Sequence, residues 1–339
     1  MATDKSAQMH GLTPFASLFV GILTEPFHHH WPYIAACREL GVSYRLVNIM
    51  GDDWREALRE SACDAFLVWP AMGYRPFRKL FDIRLREMEE SLGLTVYPRY
   101  AETRLYEDKV RTAAWLREND IPHPATRVFE REEDARTYAE SAPLPLLVKT
   151  RLGAMASGVW IVRERSQLVR LIRKAFGKGL LADYRHRSER EKGFILLQEY
   201  LPVVSEWRLV RIGDSYFGHK KGKSGDFHSG SGLVDWTPPE TRHLDFLHQV
   251  TETGKFRSMA VDTFETPDGK LWVNELQTVF SAKASVHQTK VDGKPGRFVR
   301  GVDGSWTFEP GDFARNACCN LRIQDVVCRF AAEKQGLQG

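Results

Sequence analysis

The sequence predicts a mixed protein: a small open α/β domain followed by a larger α+β region built on antiparallel hairpins. Three observations carry this. Between residues 14 and 100, buried-strand patterns alternate with helix patterns, as in parallel sheets covered by helices. Further on, Gly213-Asp214 and Thr266-Pro267-Asp268-Gly269 each separate two runs rich in β-branched and aromatic residues, which marks hairpins. At 339 residues the chain has room for two or three domains with cores of their own.

In order, residues 16–23 read as the first buried strand, and residues 24–32 lead into a helix over 33–40 that Gly41 ends. A strand over 43–49, a helix over 53–60, a strand over 65–69 and a basic amphipathic helix over 76–92 follow. Residues 104–119 form the next helix, with Lys109 near its start, and Ile121-Pro122-His123-Pro124 breaks it. Next come a short strand over 125–129, a charged helix over 130–141 and a strand over 146–150 that ends on Lys149. A glycine-containing loop over 151–158 joins it to a strand over 159–162, and a helix over 166–176 follows. Residues 177–192 are rich in Arg and Lys without periodicity and read as a solvated loop, with polyanion contact as the weaker reading. A strand over 194–201, a hairpin of 207–212 with 215–220, a Gly/Ser/Lys-rich stretch to 232 and a helix over 241–255 lead to the second hairpin, 261–279. Beyond residue 281 the pattern weakens to a basic stretch, 283–300, and a closing helix over 315–333.

Composition excludes several classes. Hydrophobic residues at 42% and charged residues at 27% are ordinary for a globular chain, and a net charge of +4 creates no broad field for nucleic acid or membrane. Five cysteines without a CxxC pair argue against a disulfide framework or a zinc site. No apolar run approaches the ~18 residues of a membrane span. The polar start lacks the order of a signal peptide, so residues 1–13 read as a disordered leader and the cytoplasm as the expected compartment. His28-His29-His30 is a poor metal cluster, because adjacent side chains on a regular element diverge; a substrate-facing loop at the carboxyl end of a strand suits it better.

The chemistry concentrates in the second hairpin. Folding at Pro267-Asp268 brings Asp262 opposite Glu275, and Gln277 lies two residues on, on the same face. Acids gathered in apolar strands repel unless a cation joins them, and such hard oxygen donors suit Mg²⁺. The competing reading is an edge whose acids face water. Lys149, with Gly153, Ser157 and Gly158 behind it, reads as a phosphate flap on a hairpin, or as an ordinary hairpin loop. It is not a Walker A loop, where the lysine follows the second glycine.

Taken together, Lys109, Lys149 with its glycine loop, the Gln198-Glu199-Tyr200-Leu201 strand end, the Glu206-Trp207-Arg208 strand start and the Asp262…Glu275-x-Gln277 hairpin resemble, in order and spacing, the ATP-grasp superfamily. The resemblance covers residues 100–280 and is nearest to the glutathione-synthetase and glutamate-ligase-like branch. It implies a pre-grasp domain over 14–102, a lid subdomain over 103–200 and a large subdomain over 201–339, with ATP held between the two grasp subdomains. Lys109 and Lys149 would contact ATP, Ser157 and Gly158 would lie in the flap, and Gln198, Glu199, Tyr200 and Leu201 would form the adenine hinge. Glu206 would hold ribose or stiffen the site, and Arg208 would face phosphate and the acyl intermediate. Asp262, Glu275 and Gln277 would hold Mg²⁺, as two ions that Mn²⁺ can replace. Relatives usually carry Asn where Gln277 stands. Where they often carry Arg and Asn, this chain offers Lys220, Lys223 and Ser229, which keep charge but lose bidentate geometry. Lys220 and Lys283 complete the expected catalytic set, and Lys283, Lys290 and Arg300 are candidates for holding an acidic substrate or else surface charge.

The implied activity is an ATP- and Mg²⁺-dependent ligase that joins a small-molecule or peptide carboxylate to an amine through an acyl phosphate. A kinase of the same fold and a non-catalytic ATP-binding module are the alternatives. Neither nucleic acid nor membrane is expected as a partner, and monomer and homodimer both stay open.

Overall fold

The computed structural model describes residues 18–70, 75–153, 157–182, 189–203, 205–222, 233–280 and 288–336. Its strands form three sheets. The first is built from β1 (Phe19–Thr24), α1 (Trp31–Leu40), β2 (Ser43–Asn48), α2 (Trp54–Ser61), β3 (Ala65–Leu67), α3 (Arg75–Glu90) and β4 (Val96–Tyr97). Its strands lie in the order β2-β1-β3-β4 and are all parallel, as strand–helix alternation requires. The loops after β1 and β3 therefore emerge together at the carboxyl edge, where ligands of open α/β sheets sit.

One predicted helix, 104–119, starts later than expected. The structure has a short helix α4 (Tyr100–Thr103) and then α5 (Lys109–Glu118). Asp108 caps α5 by accepting a hydrogen bond from the Arg111 N–H at 3.1 Å, and this sets Lys109 as its first residue.

The second sheet contains β5 (Thr126–Phe129), β6 (Leu146–Lys149), β7 (Val159–Val162) and β8 (Ile195–Glu199), in the antiparallel order β5-β8-β6-β7. Helices α6 (Glu132–Ser141) and α7 (Arg165–Phe176) supply much of its core through Ala135, Ala139, Leu168 and Ile172.

The third sheet runs β13-β12-β9-β10-β15-β14, from β9 (Ser205–Ile212), β10 (Ser215–Lys221), β12 (Ser258–Glu265), β13 (Leu271–Gln277), β14 (Thr289–Val291) and β15 (Lys294–Arg300). β11 (Val234–Asp235) pairs with β10, and β16 (Trp306–Pro310) pairs with β15. Helix α8 (Thr241–Gly254) covers one face through Leu244, Leu247 and Val250. Much of the stretch expected to lack pattern after residue 281 is thus sheet, turned at Asp292-Gly293, both in the left-handed region. Asp-Gly is hairpin chemistry, and it was obscured by the basic residues around it.

The closing helix α9 (Cys319–Gly336) runs back to the start of the chain. Its Cys319, Ile323, Val326 and Val327 share one core with Val20, Ile22, Tyr33 and Leu67 of the first layer. Nearby, the buried Glu102 ties α4 to the start of β12, accepting hydrogen bonds from the N–H groups of Arg99, Arg257 and Ser258 at 2.9, 2.8 and 2.7 Å. Burial pushes its carboxyl up to about 7 against those hydrogen bonds. Of the stretch 177–192, residues 177–182 and 189–192 are described, and they depart from the solvated loop expected: Leu180 bridges Glu191, which is buried and accepts the N–H groups of Arg151 and Leu152 at 2.5 and 2.9 Å. An acid that caps a loop from inside leaves no periodic trace in the sequence.

Candidate active site

The site lies on the face of the third sheet opposite α8. Asp262 pairs with Glu275 across β12 and β13 and with Arg208 across β12 and β9, while Arg208 pairs with His219 on β10. These side chains share one face by strand alternation. A bulge follows Asp262, where Thr263 pairs with Val273, so Asn274 is the extra residue in β13. The bulge lets two successive residues, Asn274 and Glu275, both meet lysines.

Charge is dense here. Arg208 grips Asp262 with two N–H groups, both at 2.7 Å, and Lys221 Nζ lies 2.6 Å from both Asp262 Oδ2 and Glu206 Oε1. Burial opposes ionisation of Asp262, but Arg208 and Lys221 outweigh it and hold its carboxyl well below the usual range. Glu275 is likewise lowered against its burial, chiefly by Lys109, whose Nζ is 3.2 Å from Glu275 Oε1. His219 is pushed down to about 3 by burial, Arg208 and Lys221, and is a neutral member of the face.

Two lysines come from outside this sheet. Lys149 ends β6 and reaches Asn274 Oδ1 at 3.2 Å; burial lowers it to about 8, Glu275 opposing that shift and Lys109 adding to it. Lys109 also donates to the Gly153 carbonyl at 2.6 Å. The cap of α5 holds both lysines to one place, because Asp108 also binds Arg151, two residues after Lys149, with contacts of 2.7 to 3.0 Å. The Lys109 N–H meanwhile donates to the Arg151 carbonyl at 3.1 Å.

Beside Lys149 a narrow cleft is lined by Lys109, His123, Thr126, Gln198 and Asn274. Gln198 donates to Thr126 Oγ1 at 2.9 Å, and its buried Oε1 has no hydrogen-bond partner. An orphaned acceptor at the wall of a lysine-lined cleft fits a ligand that brings N–H donors and negative charge. Glu199 is exposed and accepts the Ala125 N–H at 3.2 Å, Tyr200 is 37% exposed and Leu201 half-buried, so of this strand end only Gln198 lines the cleft. Ser157 and Gly158 stand just before β7, in the connection from β6, and the Gly158 carbonyl accepts the Thr150 N–H at 2.8 Å.

Several expectations are corrected. Lys220 is not the basic group of the site; its neighbour Lys221 is. Lys220 shares register with Trp207, which packs on His243 of α8 with ring centroids 4.3 Å apart, whereas Lys221 pairs with Glu206 on the site face. Choosing between adjacent lysines requires the strand's parity, and composition does not supply it. Glu206 is engaged by Lys221 and so stiffens the site. Gln277 stands in the cluster, but its Oε1 accepts from Arg208 at 3.4 Å and its Nε2 donates to Glu275 at 3.2 Å, so it links the two groups. Arg300 lies against Trp306, which bonds Asp245 of α8, on the far side of the sheet. Lys290 rests 3.9 Å over the Trp236 ring. Lys223, Ser229 and Lys283 lie outside the described residues. Asn274 and Lys221 were missed; two adjacent polar residues within Val273-Asn274-Glu275-Leu276 were the available signal of a bulge. After Pro26, the histidine run folds around the buried Glu25, which accepts the N–H groups of Phe27 and His29.

Solved structures share this fold. The ADP complex of an N5-carboxyaminoimidazole ribonucleotide synthetase superposes with a TM-score of 0.58 at 12% identity, over 84% of this chain and 81% of that one. A carboxyaminoimidazole ribonucleotide synthase of Aspergillus clavatus complexed with ATP gives 0.56 at 12% identity, over 85% and 82%. A RimK-domain ATP-grasp protein of Sphaerobacter thermophilus gives 0.50 at 20% identity, over 76% and 90%. The chain has the ATP-grasp fold. No family model and no curated protein matches it in sequence. The ATP-grasp fold is thus legible in three dimensions and nearly silent in sequence identity.

Proposed function

We propose that this ATP-grasp protein is an ATP-dependent ligase that joins a carboxylate to an amine. The observation that carries the proposal is the convergence of Lys149 from β6 and Lys109 from α5 on the Asn274-Glu275 bulge of a different sheet. Two cations and an acid pair drawn from separate elements make a receptacle for a polyphosphate, beside a cleft with an open hydrogen-bond acceptor.

Mg²⁺ suits the donors present. Among the described residues no group of three or more acids, histidines or cysteines could hold a metal, so Asp262 and Glu275 would share it with phosphate oxygens, the usual arrangement for this ion. When bound, the ion neutralises phosphate charge. The chain's own groups do the rest. Lys149 and Lys109 hold the phosphates while a carboxylate oxygen of the substrate attacks the γ-phosphorus in line, ADP departs and an acyl phosphate forms. An amine then attacks the acyl carbon, and phosphate leaves through a tetrahedral intermediate. Arg208, fixed by Asp262, is a permanent cation on this face that would stabilise that oxyanion.

The test is incubation of the full chain with ATP, Mg²⁺ and panels of carboxylates and amines, with hydroxylamine as a trap. Acyl hydroxamate together with ADP supports the ligase. A stable phosphorylated product would replace it with a kinase, and nucleotide binding without ADP release with a regulatory module. The retention of both acids and both lysines favours turnover over binding alone. A neighbour solved in complex with ADP and 5-aminoimidazole ribonucleotide makes that nucleotide a sensible member of the amine panel.

A further inference from the structure

Arg322 of α9 is wholly buried, yet among the described residues no carboxylate pairs with it. Its Nε donates to Ser258 Oγ at 2.9 Å and its Nη1 to the Ala317 carbonyl at 2.8 Å, while Nη2 has no hydrogen-bond partner. The guanidinium lies 5.0 Å from the Phe280 ring centroid and 5.8 Å from that of Trp69. In sequence, residues 71–74 after Pro70 and residues 281–287 after Phe280 contain no Asp or Glu. A buried, unpaired guanidinium carries a desolvation cost that an anion would offset.

Its position is informative. Ser258, Ala260 and Asp262 alternate onto one face of β12, so Arg322 meets the sheet on the face of the active site, at Ser258, which lies about 13 Å along the strand from Asp262 at ~3.3 Å per residue. The half-buried Tyr106 packs against the core cluster that contains Trp69, within the electrostatic reach of both Arg208 and Arg322. Trp69 lies just past β3, at the carboxyl edge of the first sheet. The geometry points to an acceptor subsite that runs from Arg208 past Tyr106 to Arg322, whose Nη2 binds an anionic group, carboxylate or phosphate, at the remote end of the substrate. The inference rests on the ligase reading for the substrate's role, but anion binding itself does not require turnover.

The experiment titrates the full chain with inorganic phosphate, succinate and citrate, following Trp69 fluorescence against a Trp69→Phe control, and separately with Mg-ATP. Saturable quenching by phosphate or by the carboxylates is expected, which also tells the two chemistries apart. In Arg322→Met that affinity should fall at least tenfold, with partial recovery in Arg322→Lys and Mg-ATP affinity unchanged. If Arg322→Met fails to fold, parent titration and Arg322→Lys decide. No saturable Trp69 response in the parent, or equal anion affinity in parent and a folded Arg322 variant, overturns the subsite. Anion binding at Arg322 in a chain that does not bind Mg-ATP would remove the ligase reading and leave the subsite standing.

Discussion

At the scale of single residues, the site depends on which of two neighbours faces inward. Lys221 compensates two buried acids, Glu206 and Asp262, so Lys221→Met should destabilise the fold by roughly 3 kcal/mol, while Lys220→Met should stay within about 0.5 kcal/mol in urea unfolding. Lys149 makes a pH prediction. Its folded value of about 8 lies below the ordinary 10.5, so the unfolded chain binds more protons between those values and stability should rise with pH there. Nucleotide capture should move the other way, with kcat/KM for ATP falling as pH rises through about 8. A pH profile compared with Lys149→Arg checks this, since the arginine should flatten the fall. Residue types were legible in the sequence: Lys109, Lys149, Arg208, Asp262 and Glu275 all meet within one site. Orientation was not, because Lys220 and Lys221 are chemically identical and only strand parity separates them.

Elements add what side chains alone do not. The bulge at Asn274 puts an amide and a carboxylate in succession before two lysines, and Asn274→Ala should weaken ATP binding severalfold in calorimetry while leaving the hairpin folded. The cap formed by Glu102 joins α4 to the start of β12, and Glu102→Ala strands three N–H donors, that of Ser258 fully buried and those of Arg99 and Arg257 partly so. A loss of about 3 kcal/mol is expected in denaturant melts, with ADP formation by the remaining folded protein preserved. Periodicity revealed the elements with apolar stripes and turn dipeptides, such as α7 and the β12–β13 hairpin. It did not reveal the Asp108 cap of α5 or the Glu191 contact beneath Arg151, because each is made by a lone acid, Asp108 bonding the Arg111 N–H one turn on and Glu191 bonding remote backbone groups, and a single acid leaves no periodic pattern.

Across the whole molecule, three sheets are tied by contacts distant in sequence. The closing helix completes the core of the first sheet, which is why the tail could not be read locally: its partners lie some three hundred residues earlier. Among the described residues, no helix is long and apolar enough to cross a membrane. The fold places the lysines of the second sheet and α5 over the acids of the third, and a nucleotide bridging them should hold those parts together. The most direct measurement is the Mg²⁺ dependence of ATP affinity and of ADP release in the parent chain and in Glu275→Ala. The parent should bind ATP at least tenfold more tightly with Mg²⁺ and release ADP; Glu275→Ala should keep part of the Mg²⁺-free affinity and lose both the Mg²⁺ enhancement and ADP formation. Turnover by Glu275→Ala at the parent rate would contradict the site.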